Sequence, residues 1–350
     1  MKKILSIILV GIMLLSSTFA ASAVSMSEGS SALREQFRQG VGPEVNGISI
    51  DYRYFSPVSD STDVKYPLVI WLHGMSEGSY EGKQIEKNNI AYWTSEEFQS
   101  RFTNGGAFIL AARSLENMGY YWDEELIEPL RAAIDDFIAQ NSDLVDVSRI
   151  YIGGFSMGGK MTLKMAVAYP EIFAAAFPIC PAWQPTLEQT ALLSELPVWL
   201  ISGKRDPLVN YKLSVLPTWN KLVETRTDRS SLRLSTLSTT TNPDGSRTLS
   251  GHHSWFAVTY DMFSVENGDY PKLSTIDGEG NAVTLCYPNG MISWLCSHTS
   301  SYDGSPNEGG TGNIEIGSGN SGSVLDNILN MIKNLFDKLF SMLRSLFNPK

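Results

Sequence analysis

Arg149-Ile150-Tyr151-Ile152-Gly153-Gly154-Phe155-Ser156-Met157-Gly158-Gly159 carries more structural information than any other stretch of this chain. Ile150 to Ile152 read as a buried strand, and the periodicity from Gly159 to Tyr169 is helical. Between the two stands a G-x-S-x-G pattern centred on Ser156. A serine at a sharp strand-to-helix turn presents its hydroxyl, and only small neighbours permit so tight a backbone. The helix that starts there aims free backbone N–H groups at developing negative charge. This flanking context, more than the five-residue pattern, separates Ser156 from an incidental serine in a Gly-rich turn.

Working outward, the pattern of strand and helix repeats. Gly47 to Phe55 alternates as a half-exposed strand, and Tyr66 to Leu72 is a continuous apolar run suited to a strand buried on both faces. Ala107 to Ala112, Arg149 to Gly153, Ala174 to Ile179, Pro197 to Ser202 and Leu232 to Leu237 read as further strands. Helices are expected over Asp123–Gln140, Met157–Tyr169 and Tyr211–Thr225. Such alternation implies an α/β fold, with a mostly parallel central sheet covered by helices on both faces.

Ligand-facing residues should then lie at the carboxyl ends of the strands. His73-Gly74-Met75 follows one buried strand directly, where a second oxyanion donor is needed beside the N–H after the nucleophile. Met157 N–H and Met75 N–H are the expected pair, with Gly74 N–H as the alternative second donor. His73 is expected to fix its loop by hydrogen bonds. Gly203-Lys204-Arg205-Asp206-Pro207 follows another strand and supplies the candidate acid, Asp206, with Asp228 and Asp244 as substitutes. A turn aspartate before proline is the plainer use of such a residue. The base belongs after the acid, where Gly251-His252-His253-Ser254-Trp255 holds two adjacent histidines. Spacing alone leaves His252 and His253 both open.

With these residues in place, the chain resembles secreted esterases of the α/β-hydrolase superfamily. The similarity is to feruloyl and acetylxylan esterases, polyhydroxybutyrate depolymerase-like esterases and predicted peptidases, over about Gly47 to Leu295. The resemblance implies an α/β-hydrolase fold, no cofactor, a Ser-His-Asp acyl-enzyme mechanism, and a small-molecule or polysaccharide ester substrate. It also places the base at His252, through a Gly-His-x-Ser-Trp segment and the late pair Trp294-Leu295. One departure is a longer stretch between Asp261 and Met291, with Asp277-Gly278-Glu279-Gly280-Asn281 as a hairpin turn. Inserted just after the base, it stands where it would reshape an acyl pocket. Two other readings compete. A peptidase on the same scaffold would need to grip a peptide backbone and protonate an amine leaving group, and no sequence feature serves either. A cell-surface binding protein on an inactive scaffold is expected where a triad member is missing, and all three are present.

Composition sets the outer limits. The chain has 350 residues, 43% hydrophobic and 18% charged, enough for a large core. Residues 1–23 read as a secretory signal peptide: Lys2 and Lys3, the apolar run Ile4 to Leu15, then Ala21-Ser22-Ala23. Export follows as an expectation. The net charge of −10 becomes −12 without that leader, with 25 basic against 37 acidic residues, which disfavours nucleic-acid partners. Scattered histidines and the absence of a C-x-x-C pair predict no metal site; Cys286 and Cys296 are the local disulfide candidates, leaving Cys180 over. The catalytic domain is expected over 24–300, a Gly/Ser/Asn-rich linker over 301–323 and an amphipathic helix over 324–350. The apolar face of that helix needs burial, so it is expected to meet a membrane or cell envelope, or to self-associate.

Overall fold

The computed structural model describes residues 28–58, 63–75, 77–114, 121–238, 240–241, 248–259, 273–284 and 290–305. The expected leader over 1–23 and the amphipathic helix over 324–350 lie outside the described residues, as do 306–323 of the linker, Asp244 and Cys286.

The apolar runs build one sheet. Its strands are β1 (Arg38–Val41), β2 (Asp51–Phe55), β3 (Tyr66–Leu72), β4 (Phe108–Arg113), β5 (Val145–Phe155), β6 (Ala175–Ile179), β7 (Val198–Gly203) and β8 (Leu232–Leu237). The two-residue strands β9 (Thr240–Thr241) and β10 (Thr248–Leu249) pair apart as a small ribbon, and β11 (Leu273–Asp277) rejoins the main sheet. The order across it is β1-β2-β4-β3-β5-β6-β7-β8-β11. From β4 to β8 every pairing is parallel, while β1, β2 and β11 add antiparallel edges. Every residue of β3, β6 and β7 is buried, which is why these strands read as unbroken apolar runs rather than alternating ones.

Helices close the crossovers. α1 (Ile127–Gln140) buries Leu130, Ala133, Ile134 and Phe137, and the single turn ahead of it is capped by Asp123, whose carboxylate accepts the Glu124 N–H at 3.1 Å. α2 (Met157–Ala168) is buried at all twelve positions. Two of those are lysines, and each buried ammonium has a carboxylate: Lys160 meets Asp123 at 3.3 Å, while Lys164 pairs with Glu124 and lies 4.5 Å over the Trp183 ring.

Several elements differ from their expected bounds. β5 begins at Val145 rather than Arg149. Its extension is half-buried and polar, held by the Tyr66 N–H to Leu144 carbonyl bond and by Asp146 accepting from Ser148 and Arg149, so no apolar run announced it. α3 (Val215–Glu224) starts four residues later than the expected Tyr211. Pro217 explains this, since proline fits the first turn of a helix but clashes with a carbonyl four residues upstream. The stretch after the base forms the expected turn, with Asp277 Oδ1 accepting from the Glu279 and Asn281 N–H groups. Its strand, β11, lengthens the sheet edge beside β8. The chain also stays packed slightly past residue 300: the Ser300 N–H donates to the Ser148 carbonyl, and Tyr302 packs against the core.

Candidate active site

Ser156 sits between β5 and α2 with φ 57° and ψ −110°, a backbone conformation that a non-glycine residue rarely adopts. The fold holds it there from three sides. Its N–H donates to the Ile179 carbonyl at 2.8 Å, and its carbonyl accepts from Lys160 N–H at 2.9 Å and Ala182 N–H at 3.1 Å. The glycines make the approach possible: a Cβ on Gly158 would enter the Leu72 carbonyl, and one on Gly159 would lie 2.7 Å from the Ile179 carbonyl oxygen. The serine is buried rather than prominent, and it lines a cleft.

Asp206 and His252 arrive from separate loops. Asp206 follows β7, and its Oδ1 accepts the Leu208 and Val209 N–H groups at 2.8 and 2.9 Å. Its Oδ2 lies 2.7 Å from His252 Nδ1, and His252 Nε2 lies 3.1 Å from Ser156 Oγ. An ionised carboxylate only accepts, so Nδ1 carries the proton and Nε2 is free to accept from the serine hydroxyl. The loops meet backbone to backbone, through two glycines. A Cβ on Gly203 would strike the Gly251 carbonyl, and one on Gly251 would lie 2.6 Å from the Arg205 carbonyl carbon.

His253 lines the cleft with its Nδ1 3.3 Å from the Ser250 carbonyl, outside the relay. Asp228 is at the surface, accepting the Ser230 N–H at 2.8 Å. His73 is buried. Its Nε2 accepts the Ser114 N–H at 3.1 Å, so its Nδ1 holds the proton and donates to the Gly74 carbonyl at 2.6 Å. Burial pushes its pKa down to about 4, so the ring is neutral and structural at neutral pH. Gly74 N–H donates to Glu77 Oε2 at 2.7 Å, which removes it as the second oxyanion donor. Met75 N–H has no acceptor among the described residues, and Met75 lines the same cleft as Ser156. Met157 N–H, first of its helix, has no intrahelical acceptor either.

The cleft encloses about 480 Å³. Met75, Phe155, Leu208 and Trp255 are apolar residues of its lining, and Glu77, Lys87 and Asn88 polar ones. Glu77 was not among the expected site residues; its one sequence signal is its place two positions after His73-Gly74-Met75.

Cys180, on the strand-end turn after β6, has φ 44° and is buried beneath the relay with its Sγ 2.7 Å from Ser254 Oγ. Cys180, Asp206 and His252 are the one group among the described residues whose donor atoms could converge on a metal, all within 4.8 Å of one another. Both imidazole nitrogens are engaged in the relay, and burial pushes the thiol well above its ordinary pKa, so the arrangement suits proton transfer rather than ligation. Among the described residues, Cys180 and Cys296 form no disulfide.

Known proteins agree with this architecture. A family model described as phospholipase/carboxylesterase matches residues 108–232. Poly(3-hydroxybutyrate) depolymerase of Ralstonia pickettii is 28% identical over 143 residues, covering 37% of this chain and 28% of that protein. Dipeptidyl aminopeptidase A of Saccharomyces cerevisiae is 24% identical over 152 residues, covering 41% of this chain and 16% of that protein. The chain thus spans less than a third of the length of these curated relatives. Among solved structures, a thermostable esterase superposes with a TM-score of 0.58 at 23% identity, over 77% of this chain and 64% of its own. The chain has the α/β-hydrolase fold.

Proposed function

We propose that this chain is a serine esterase that cleaves carboxylic esters through an acyl-enzyme on Ser156. The observation that carries the reading is the continuous relay from Asp206 Oδ2 through His252 to Ser156 Oγ, with contacts of 2.7 and 3.1 Å. In the first step His252 Nε2 takes the hydroxyl proton as Ser156 Oγ attacks the ester carbonyl. Asp206 stabilises the imidazolium, and the Met157 and Met75 N–H groups receive the oxyanion. His252 then protonates the departing alkoxide, and water, activated by the same imidazole, releases the acid. No cofactor enters either step.

For substrate, the resemblance favours aryl or acetyl esters of plant polysaccharide, and the Met75, Phe155, Leu208 and Trp255 lining suits a flat apolar acyl group. Export, by the 1–23 leader, and retention at a membrane or cell envelope by the 324–350 helix complete the proposal. A panel of aryl esters, acetylated xylan and peptide amides tests it. Saturable ester turnover with no amide cleavage is expected; peptide amide cleavage exceeding ester turnover would replace the esterase reading with a peptidase one.

A further inference from the structure

The loop after β3 contains two successive peptide planes whose polar groups are nearly all tied down. In the His73–Gly74 plane, the carbonyl accepts Trp122 Nε1–H at 2.9 Å and the N–H donates to Glu77 Oε2 at 2.7 Å. In the Gly74–Met75 plane, the carbonyl accepts His73 Nδ1–H at 2.6 Å and the Glu77 N–H at 3.2 Å. A trans peptide is planar, so its N–H points opposite to its carbonyl. Anchoring the Gly74 carbonyl therefore aims the Met75 N–H the other way, and it is the one polar group of the two planes without a partner among the described residues.

Glu77 contributes to both anchors, with its carboxyl to one plane and its main chain to the other. The carboxyl is itself held from the far side. Asn88 is buried with φ 59°, a conformation asparagine tolerates better than most residues, and its amide, turned so that Nδ2 faces Glu77, lies 2.9 Å from both carboxyl oxygens. A Cβ on Gly74 would lie 2.9 Å from both Glu77 Oε2 and Phe155 Cδ1, so a bare glycine is what lets the carboxyl reach that N–H.

We propose that Glu77 is a positioning residue for the oxyanion site: it clamps the 73–75 backbone so that the Met75 N–H is fixed toward Ser156. The role rests on the reading of Ser156 as nucleophile. Burial pushes the Glu77 carboxyl up to about 7 while the Gly74 N–H, Lys83 and Lys87 act against it, so a neutral group with the same hydrogen bonds should serve in its place. Glutamine supplies one: its Oε1 accepts from Gly74 N–H, and its amide donates to an Asn88 turned to present its oxygen.

The test compares wild type, Glu77→Gln, Glu77→Leu, Asn88→Gly and Ser156→Ala, all as the full chain, in 4-nitrophenyl acetate hydrolysis. Asn88→Gly keeps the left-handed backbone and removes only the amide. Losing an oxyanion donor outright costs about 100- to 1000-fold in kcat. A donor present but unheld should cost less, so Glu77→Leu is expected to lower kcat about 10- to 100-fold with KM changed less than about threefold. Glu77→Gln should stay within about fivefold of wild type and Asn88→Gly should fall between the two, each with a cooperative melt. Should Glu77→Leu fail to fold, Asn88→Gly and Glu77→Gln decide the matter by the same ranking. Glu77→Leu at wild-type kcat, a loss confined to KM, or a Gln variant as impaired as Leu would overturn the role while Ser156→Ala is inactive. Turnover by Ser156→Ala would instead remove the nucleophile reading and this proposal with it.

Discussion

Replacing Gly251 by alanine should uncouple the two halves of the relay while leaving all three relay residues in place. The added methyl would sit 2.6 Å from the Arg205 carbonyl carbon and 2.7 Å from the Asp206 N, in the backbone that carries the acid. Carbon contacts are comfortable only at about 3.5–4.0 Å, so one loop must retreat by roughly 1 Å. His252 is the next residue and its Nε2 already stands 3.1 Å from Ser156 Oγ, so a retreat of that size breaks the bond. Misplacement by about 1 Å can cost about 100-fold in rate, and overpacking typically costs about 1–3 kcal/mol of stability. Gly251 does not have a positive φ, so alanine meets no backbone penalty and the clash alone is tested. The variant should fold cooperatively, melt a few degrees low, and show kcat on an aryl ester reduced about 100-fold with KM nearly unchanged. A folded Gly251→Ala within threefold of wild type would refute the claim that this backbone contact sets the position of the imidazole.

His252→Ala should lose nearly all activity and His253→Ala far less, as measured by steady-state turnover; the reverse ranking would move the base one residue along. Acid should destabilise the fold through His73, whose folded pKa of about 4 lies below the ordinary 6.5. The unfolded state then binds the extra proton between those values, so stability is lost as pH falls from 6.5 toward 4, by about 3 kcal/mol for this group. Denaturant titrations at several pH values should show a shallower acid slope in His73→Asn than in wild type, and equal slopes would exclude His73 as the cause. Truncation after Ser305, which spares the packed Tyr302, should leave soluble activity unchanged while removing liposome binding or oligomerisation. A truncated protein that matches the full chain in both, but melts well below it, would make the tail part of the catalytic core.

How much of this was legible in the sequence depends on how local each signal is. Ser156 stands directly after the buried half of β5 and Asp206 three residues past β7, and strand ends are where such a sheet gathers its ligand-facing residues, so pattern pointed to both. His252 was separated from His253 only by resemblance, because two adjacent loop residues have no periodicity that assigns them different directions. Met75 was preferred to Gly74 from its place after β3, but the reason for the preference was not readable, since it turns on a peptide orientation set by the His73 ring and by Glu77. Glu77 itself gained significance only when Asn88, eleven positions on, folded back against it. The edge strands were weak for a related reason: Arg38-Gln39-Gly40-Val41 is almost wholly exposed along β1, so burial imposed no pattern on it.

The central claim is that Ser156 Oγ becomes acylated. Intact-protein mass spectrometry after brief exposure to 4-nitrophenyl acetate at low pH, where deacylation is slow, reads this directly. A single added acetyl group is expected on wild type, mapped by peptide digestion to Ser156, and none on Ser156→Ala. An acetyl group that survives the Ser156→Ala substitution, or ester turnover in that folded variant, would contradict it.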